Sequence, residues 1–553
     1  TLNVPRSQRG GEIVEPMIST QWFVRIKPLA KPALQAVREG QIRIVPERFT
    51  KVYYNWLENI EDWCISRQLW WGHRIPVWYC DQCGQTHASR EDLLSCPNCI
   101  SKNIRQDEDV LDTWFSSALW PFSTLGWPKS TPDLQYFYPT SFMETGYDIL
   151  FFWVARMIMF GLEFTGKPPF HTVYLHGLIR DELGQKMSKT KGNVIDPLEV
   201  MDEMGTDALR FTLLVGSTPG NDTNLSLSKV EANRNFANKL WNAGRFILGA
   251  LEQAPDRPAA SPDWSVADSW IWARLQMLER DADRLFSSYQ YGEAGRQIYE
   301  FFWSEFADWY LEIAKLQLAA GGDRAFYTAQ TLVRVMDSVL RMLHPFTPFI
   351  TEELWSHLKS SAQQKGSAYD PKTGWPEMLI IASWPQAQPV EDWEAQKVAD
   401  FNLLQDTIRA IRNLRTEKKV TPGKRIPAVI EAGDKLELFH AQLRTLAALA
   451  YLDPSALTLV DTLAEKPANQ VTLVVSGVQI YLPLAGLVNL EAERSRLKSE
   501  LAEVGGQIDR LAALLASPFG QKAPANVVEK ERQKLIAFQE TAARLREQIN
   551  SLK

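Results

Sequence analysis

Cys80-x2-Cys83 is followed, with twelve residues between, by Cys96-x2-Cys99. This spacing constrains the fold more than anything else in the chain. A Cys-x2-Cys pair makes a knuckle whose tight turn lets two thiolates face one ion, and Gly84 and Pro97 suit such turns. Four thiolates close a tetrahedron and leave no position for water. The expected group is therefore a structural Zn2+ held by Cys80, Cys83, Cys96 and Cys99 in a ribbon at about 78–102. The bland alternative is four unrelated reduced thiols. The fifth cysteine, Cys64, is left over and reads as a buried, inert thiol. Five Cys in 553 residues are too sparse for a disulfide scaffold, so a reducing, cytoplasmic setting is expected.

The length allows three or four domains at roughly 150 residues each. Apolar residues at 45% and charged residues at 23% are ordinary globular composition. The net charge of −6 excludes a chain that holds nucleic acid by bulk charge alone. The longest apolar stretch, Ile149 to Leu162, is broken by Arg156 and too short to span a bilayer, so no membrane partner is expected. The first residues, Thr1-Leu2-Asn3-Val4-Pro5, lack an initiator Met and any apolar signal region. There are 20 Trp, none beyond Trp393, and all five Cys precede residue 100, which points to a different kind of domain at the C-terminus.

The pattern along the chain is multidomain, α/β plus all-α. Residues 1–50 read as strands and connections. Residues 51–228 alternate short apolar runs with helical patterns, which suggests a parallel sheet with helices. From Leu227 the period turns helical. Stripes at 230–251, 271–285, 298–316 and 332–343 predict a four-helix bundle, stopped before Pro345 and Pro348, with a Pro/Ser/Gln-rich loop near 360–390. After a helix at 398–415, strands at 426–430, 457–460, 471–475 and 478–482 suggest a small α/β unit. Beyond Leu487 the repeat is seven: Leu490, Leu497, Val504, Leu511, then Val528, Leu535, Ala542, Ile549, with Pro518, Gly520 and Pro524 between. Two heptad runs around a breaker predict an antiparallel coiled-coil hairpin; a dimerisation coiled coil is the alternative.

Three further groups are candidates for chemistry. Lys186-Met187-Ser188-Lys189-Thr190-Lys191-Gly192-Asn193 is a short basic loop after a strand. Its lysines either reach a polyphosphate and neutralise developing charge or form a solvated surface. Gly146-Tyr147-Asp148 precedes an apolar helix; Asp148 is either a helix cap or a carboxylate for sugar hydroxyls. Trp114, Ile149 and Trp153 are either core or the lining of a small aliphatic pocket.

The text from Trp56 to Pro76, with Trp63-Cys64-Ile65-Ser66-Arg67-Gln68-Leu69-Trp70-Trp71-Gly72-His73 at its centre, taken with Lys186 to Asn193, resembles the class I aminoacyl-tRNA synthetases of the valine/isoleucine/leucine group. The Gln-Leu-Trp-Trp-Gly-His wording and the terminal hairpin are most similar to the valine-specific members. The resemblance covers essentially the whole chain. It implies the C-terminal half of a Rossmann-like catalytic domain (51–228, with the KMSKS-type loop at 186–190), preceded by the exit from an editing insertion (1–50). An anticodon-binding helical bundle (229–395), a small α/β junction unit (396–486) and a coiled-coil tRNA-binding arm (487–553) follow.

The implied activity is ATP-dependent attachment of valine to tRNA(Val) through valyl-adenylate, with Mg2+ accompanying ATP, in a cytoplasmic monomer. Site roles follow from the same resemblance. Lys186, Met187, Ser188 and Lys189 correspond to the KMSKS signature, with Lys186 and Lys189 catalytic and Lys189 foremost on the ATP phosphates; Thr190 replaces the usual Ser. Gly146 and Asp148 match a ribose-binding Gly-x-Asp, and His176-Gly177 a strand-end pair near adenine. Trp114, Ile149 and Trp153 match positions lining the valine pocket, which would exclude isoleucine but could not strongly reject threonine. The terminal arm carries eleven Lys/Arg against nine Asp/Glu, weakly consistent with phosphate contact.

The main departure is that no His-Ile-Gly-His signature occurs in the chain. The expectation is the second part of a longer enzyme, unable by itself to activate valine. The rival readings are an isoleucine enzyme and a non-catalytic tRNA-binding protein built on synthetase domains.

Overall fold

The computed structural model describes residues 1–553 except 1–3, 8–9, 16, 189–190, 262–263, 466–469, 484–489, 518–524 and 552–553. It divides into two compact units. The first comprises residues 1–241, 280–299 and 341–353, and the second residues 242–279, 300–340 and 354–553.

The first unit is built on a three-stranded parallel sheet in the order Arg43–Val45, Phe170–His176, Thr140–Gly146. Val173 and Leu175 on the central strand are fully buried, with Met143 beside them. A run of Met157, Ile158, Met159 and Phe160 from helix Arg156–Thr165 closes the same core. So do Ala30, Ala33 and Ala36 of helix Lys27–Arg38, small residues spaced at helical period that let the helix approach closely. This helix corrects the expectation of only strands and connections over residues 1–50. It starts with Pro at its first turn, where no backbone donor is missed, and Pro32 is tolerated inside it. Ahead of Arg156 the helical ladder widens to a π segment over Leu150–Ala155.

In sequence between Arg43–Val45 and Thr140–Gly146 comes a separate three-stranded antiparallel ribbon, Thr86–Ala88, Val77–Cys80 and Ile104–Gln106, which carries the four cysteines.

The expected helices are observed at Leu227–Gln253, Val266–Ser287 and Gly322–Leu343. The stripe at 298–316 lies in continuous helix over Tyr291–Leu318 with a π segment at Phe301–Tyr310. A further helix, Pro348–Lys365, replaces what read as a stop and the start of a loop. Pro348 begins it, so the residue taken as a breaker is a helix starter. Within the second unit, Trp270 stacks on Phe401 at 4.0 Å, and buried Trp355 donates its Nε1–H to Asp337 at 2.7 Å.

The small α/β sheet has the order Leu452–Val460, Ile426–Glu431, Val478–Pro483, Gln470–Val475, close to the expected strands. Its last hairpin turns at Ser476-Gly477, both at positive φ, the geometry that matches strand twist in a two-residue loop. Leu490–Ala516 and Ala525–Ser551 are helices that pack on each other, burying Leu497, Leu511 and Ala542 of the heptad series, with Leu545 one turn beyond Ala542. No helix among the described residues is long and apolar enough to cross a membrane.

Candidate active site and metal centre

The parallel sheet sets the first site. Strands Thr140–Gly146 and Phe170–His176 run side by side with Gly146 paired to His176. Their carboxyl ends therefore deliver Gly146, Asp148, His176 and Gly177 to one edge, the place where open α/β sheets bind ligands. Each residue is held differently. A Cβ on Gly146 would lie 2.8 Å from Asp148 Oδ1, so glycine leaves that carboxylate room. A Cβ on Gly177 would lie 1.6 Å from the Asn221 carbonyl oxygen; this glycine lets segment 221–222 press against the strand end. His176 Nε2 lies 3.1 Å from Glu144 Oε1, and its Nδ1 faces the Gly177 carbonyl at 2.8 Å.

Lys186 Nζ reaches Asp148 Oδ2 at 3.5 Å, so the basic loop lies over the strand ends. Both side chains are well solvated, and such a pair contributes at most about 1 kcal/mol. The base of the loop is fixed by groups not singled out from sequence. Asn193 Oδ1 accepts from the Ser188 N–H at 2.9 Å, and Asn193 Nδ2 donates to Asp181 Oδ2 at 2.8 Å. Asp181 Oδ1 in turn accepts from the Gln185 N–H at 2.7 Å, closing a tight turn through Gly184 at positive φ. These donors, Asn193 first, hold the Asp181 carboxyl below the usual carboxylate range. Lys189 and Thr190 lie outside the described residues.

A second unforeseen group is Asp222. Its carboxylate accepts from the Leu178 N–H at 2.8 Å, from the Tyr147 hydroxyl at 3.2 Å and from Arg180. Burial raises its pKa, but these donors outweigh that and leave it depressed. Only the fold brings Tyr147, Arg180 and Asp222 together, so no local sequence signal marks them.

Trp114 and Trp153 are half-buried and pack against the apolar core of the unit. Trp114 stacks on Phe152 at 6.0 Å; Trp153 meets Trp120 at 6.1 Å and donates its Nε1–H to the Ser117 carbonyl at 3.0 Å. Ile149 is half-buried at the end of a short 3-10 turn after Asp148.

The cysteine ribbon forms the second site. All four Sγ atoms lie within 4.8 Å of one another, with Cys80–Cys99 and Cys83–Cys96 at 3.6 Å. A tetrahedral Zn2+ with bonds of about 2.3 Å puts its sulfurs about 3.8 Å apart, so the donor set fits that ion. The two knuckles have matching backbones: Gly84 N–H donates to Cys80 O and Ile100 N–H to Cys96 O, both at 2.8 Å. Without an ion the thiols compete for charge. Donation from the Gln85 N–H draws Cys83 down to about 6. At Cys99 the Ser101 N–H pulls down, but burial and three neighbouring sulfurs push it up to about 12. A cation removes that conflict by ionising all four. His87 Nε2 lies 3.3 Å from Cys96 Sγ, a neighbour the spacing did not reveal.

Gly84 and Ile100 occupy equivalent positions, both at positive φ. Glycine was expected to serve such a turn; a β-branched residue pays a steric penalty there of about 1–2 kcal/mol. Ile100 is 80% exposed, so little packing offsets it. Ile100→Gly is expected to raise the ribbon's stability by about 1 kcal/mol, read as a later midpoint in chelator-induced unfolding; an earlier midpoint rejects this.

A parallel sheet with a lysine loop over its carboxyl edge, joined to a four-thiol ribbon, defines a class. The family model "tRNA synthetases class I (I, L, M and V)" matches residues 9–226. The anticodon-binding domain of tRNA ligase matches 268–430, and the valyl tRNA synthetase tRNA binding arm 489–553. Residues 9–226 thus match the class I tRNA synthetases, and the two C-terminal matches are to tRNA-ligase domains. Valine--tRNA ligase of Dehalococcoides mccartyi (strain 195) is 50% identical over 99% of this chain, and that of Symbiobacterium thermophilum 49% identical over 99%. The chain spans 61% of the length of each of these two relatives. Methionyl-tRNA synthetase of Mycobacterium tuberculosis in complex with methionyl-adenylate shares the fold, with TM-score 0.51 at 18% identity over 68% of this chain and 72% of that one.

Proposed function

We propose that the protein is a valine--tRNA ligase to which this chain contributes the lysine-loop half of the active site and the tRNA-facing domains. The 50% identity to a ligase of that specificity over nearly all of the chain carries the proposal. In the reaction, the valine carboxylate attacks the ATP α-phosphate, pyrophosphate leaves, and the acyl group passes to the tRNA 3′ end. Asp148 would accept hydrogen bonds from the ribose hydroxyls, in the space left by Gly146. Lys186 and Lys189 would neutralise charge on the phosphates as pyrophosphate departs. His176 and Gly177 would border the base, and Met187 and Ser188 carry the loop across the nucleotide. Trp114, Ile149 and Trp153 would border the isopropyl group. Mg2+ bound with ATP would share the phosphate charge.

The proposed domain roles are those of the sequence reading: editing-insertion exit at 1–50, catalytic half at 51–228, anticodon bundle at 229–395, junction unit at 396–486, coiled-coil arm at 487–553. A structural Zn2+ in the ribbon, a monomeric state and a cytoplasmic location complete the reading. Pyrophosphate exchange by the full-length protein tests it. Valine is expected to be preferred over isoleucine by at least tenfold, the order of one methylene in a closed pocket. Preference for isoleucine overturns the assignment.

A further inference from the structure

Asp222 stands between two parts of the carboxyl edge of the parallel sheet. On one side its Oδ2 accepts from the Tyr147 hydroxyl at 3.2 Å, and Tyr147 lies between Gly146 and Asp148 in the chain. On the other side it accepts from Nε and Nη2 of Arg180. Arg180 continues the line. Its Nη1 donates to the Gly184 carbonyl at 3.3 Å, in the turn at the base of the lysine loop, and its backbone bridges to Lys186. A continuous polar bar therefore runs from the turn that carries Asp148 to the first lysine of the loop. Its middle is fixed. Asp222 Oδ1 accepts from the Leu178 N–H at 2.8 Å, and strands Ile179–Arg180 and Thr223–Asn224 pair in parallel beside it. Arg180 and Asp222 are more shielded from water than Lys186 and Asp148, and their two-pronged bond is of the stronger, charge-assisted kind.

The proposed chemistry gives work to Asp148 and Lys186 and none to the bar that joins them. A nucleotide fixes the separation of its sugar and its phosphates covalently, so two protein groups that meet both must be held in register. Misplacement by about 1 Å is enough to cost rate heavily. We infer that Tyr147, Arg180 and Asp222 are positioning residues, which set the register between the sugar contact of Asp148 and the phosphate contact of Lys186. This inference rests on the proposed function. The two ends of the bar act at different stages. The tyrosine end orients Asp148, whose sugar contact is the same before and during reaction, so its loss shows in the KM for ATP. The arginine end orients the loop, whose charge matters most as pyrophosphate departs, so its loss shows in kcat.

The test is ATP–pyrophosphate exchange by the full-length protein and two variants, with circular dichroism confirming that each folds. Tyr147→Phe removes only the hydroxyl and keeps the ring that stacks on Phe49 at 5.5 Å. It is expected to raise the KM for ATP by about tenfold, the order of one hydrogen bond to a charged group, with kcat and the KM for valine within about twofold of the parent. Arg180→Lys keeps the charge but cannot hold Asp222 and the Gly184 carbonyl together. It is expected to lower kcat by about tenfold, with the KM for ATP within about twofold. Should it not fold, Arg180→Gln takes its place with the same expectation. Both variants within about twofold of the parent in every constant, or a loss spread alike over kcat and both KM values, overturns the inference while the proposed function stands. If the parent shows no valine-dependent exchange, the proposed function is what fails. Equilibrium dialysis of ATP then decides on the bar: an affinity about tenfold weaker in Tyr147→Phe supports it, and an equal affinity overturns it.

Discussion

Cys96→Ser is expected to release the zinc ion and melt the ribbon. Metal analysis of the purified chain should give about one zinc per chain, and the variant close to none. Three strands of three or four residues, with few buried side chains, cannot hold the segment without the ion. Structural zinc sites contribute on the order of 10 kcal/mol to folding, far more than the ribbon's own packing. Hydrogen exchange over residues 77–106 should rise to that of an unfolded segment, while the parallel sheet at 170–176 stays protected. Acid should do the same. Metal binding needs thiolates, and Cys83 is already drawn down to about 6 without an ion. With a depressed pKa, the stabilisation is fully present above the ordinary thiol value of 9.0 and is lost as the pH falls through about 6. Unchanged exchange in the variant, or a parent without metal, would remove the zinc assignment.

Gly177→Ala is expected to be the most damaging single methyl group near the carboxyl edge of the parallel sheet. Its Cβ would sit 1.6 Å from the Asn221 oxygen and 2.1 Å from the Asn221 carbonyl carbon, both backbone atoms that no rotamer change can clear. Either the strand end or segment 221–222 must move. The second option pulls Asp222 away from Leu178, Arg180 and Tyr147. A loss of about 3 kcal/mol is expected, the upper end for overpacking, measured by denaturant unfolding. Gly249→Ala is the control, since nothing lies within 4 Å of its added Cβ. Equal stability of the two variants would show that the segment yields without cost.

The ribbon, the heptads and the strands of the small α/β unit were legible in the sequence because each depends on local spacing. Cys-x2-Cys fixes its own turn, and Leu497, Leu511 and Ala542 are buried as a seven-residue repeat requires. The helix at 348–365 was misread because Pro serves both to stop a helix and to begin one, and only packing decides which. Helix 27–38 was hidden by its prolines and by alanines that count little as apolar signal. Within the site, Gly146, Asp148, His176 and Lys186 are marked in the sequence by the family resemblance, and the sheet register explains why they converge. Asp181, Arg180 and Asp222, and the role of Asn193 at the end of the lysine loop, were passed over because their partners lie across turns or about forty residues away, where no periodicity points.

Under the proposed function, the contact between Lys186 and Asp148 would couple the sugar and phosphate halves of a bound nucleotide. A nucleoside that captures Asp148 through its sugar separates the carboxylate from the ammonium and gives the ammonium nothing in exchange. A triphosphate rehouses it. Under the proposed function the pair would therefore act as a weak discriminator built into the resting state, favouring ATP over adenosine by at most about 1 kcal/mol.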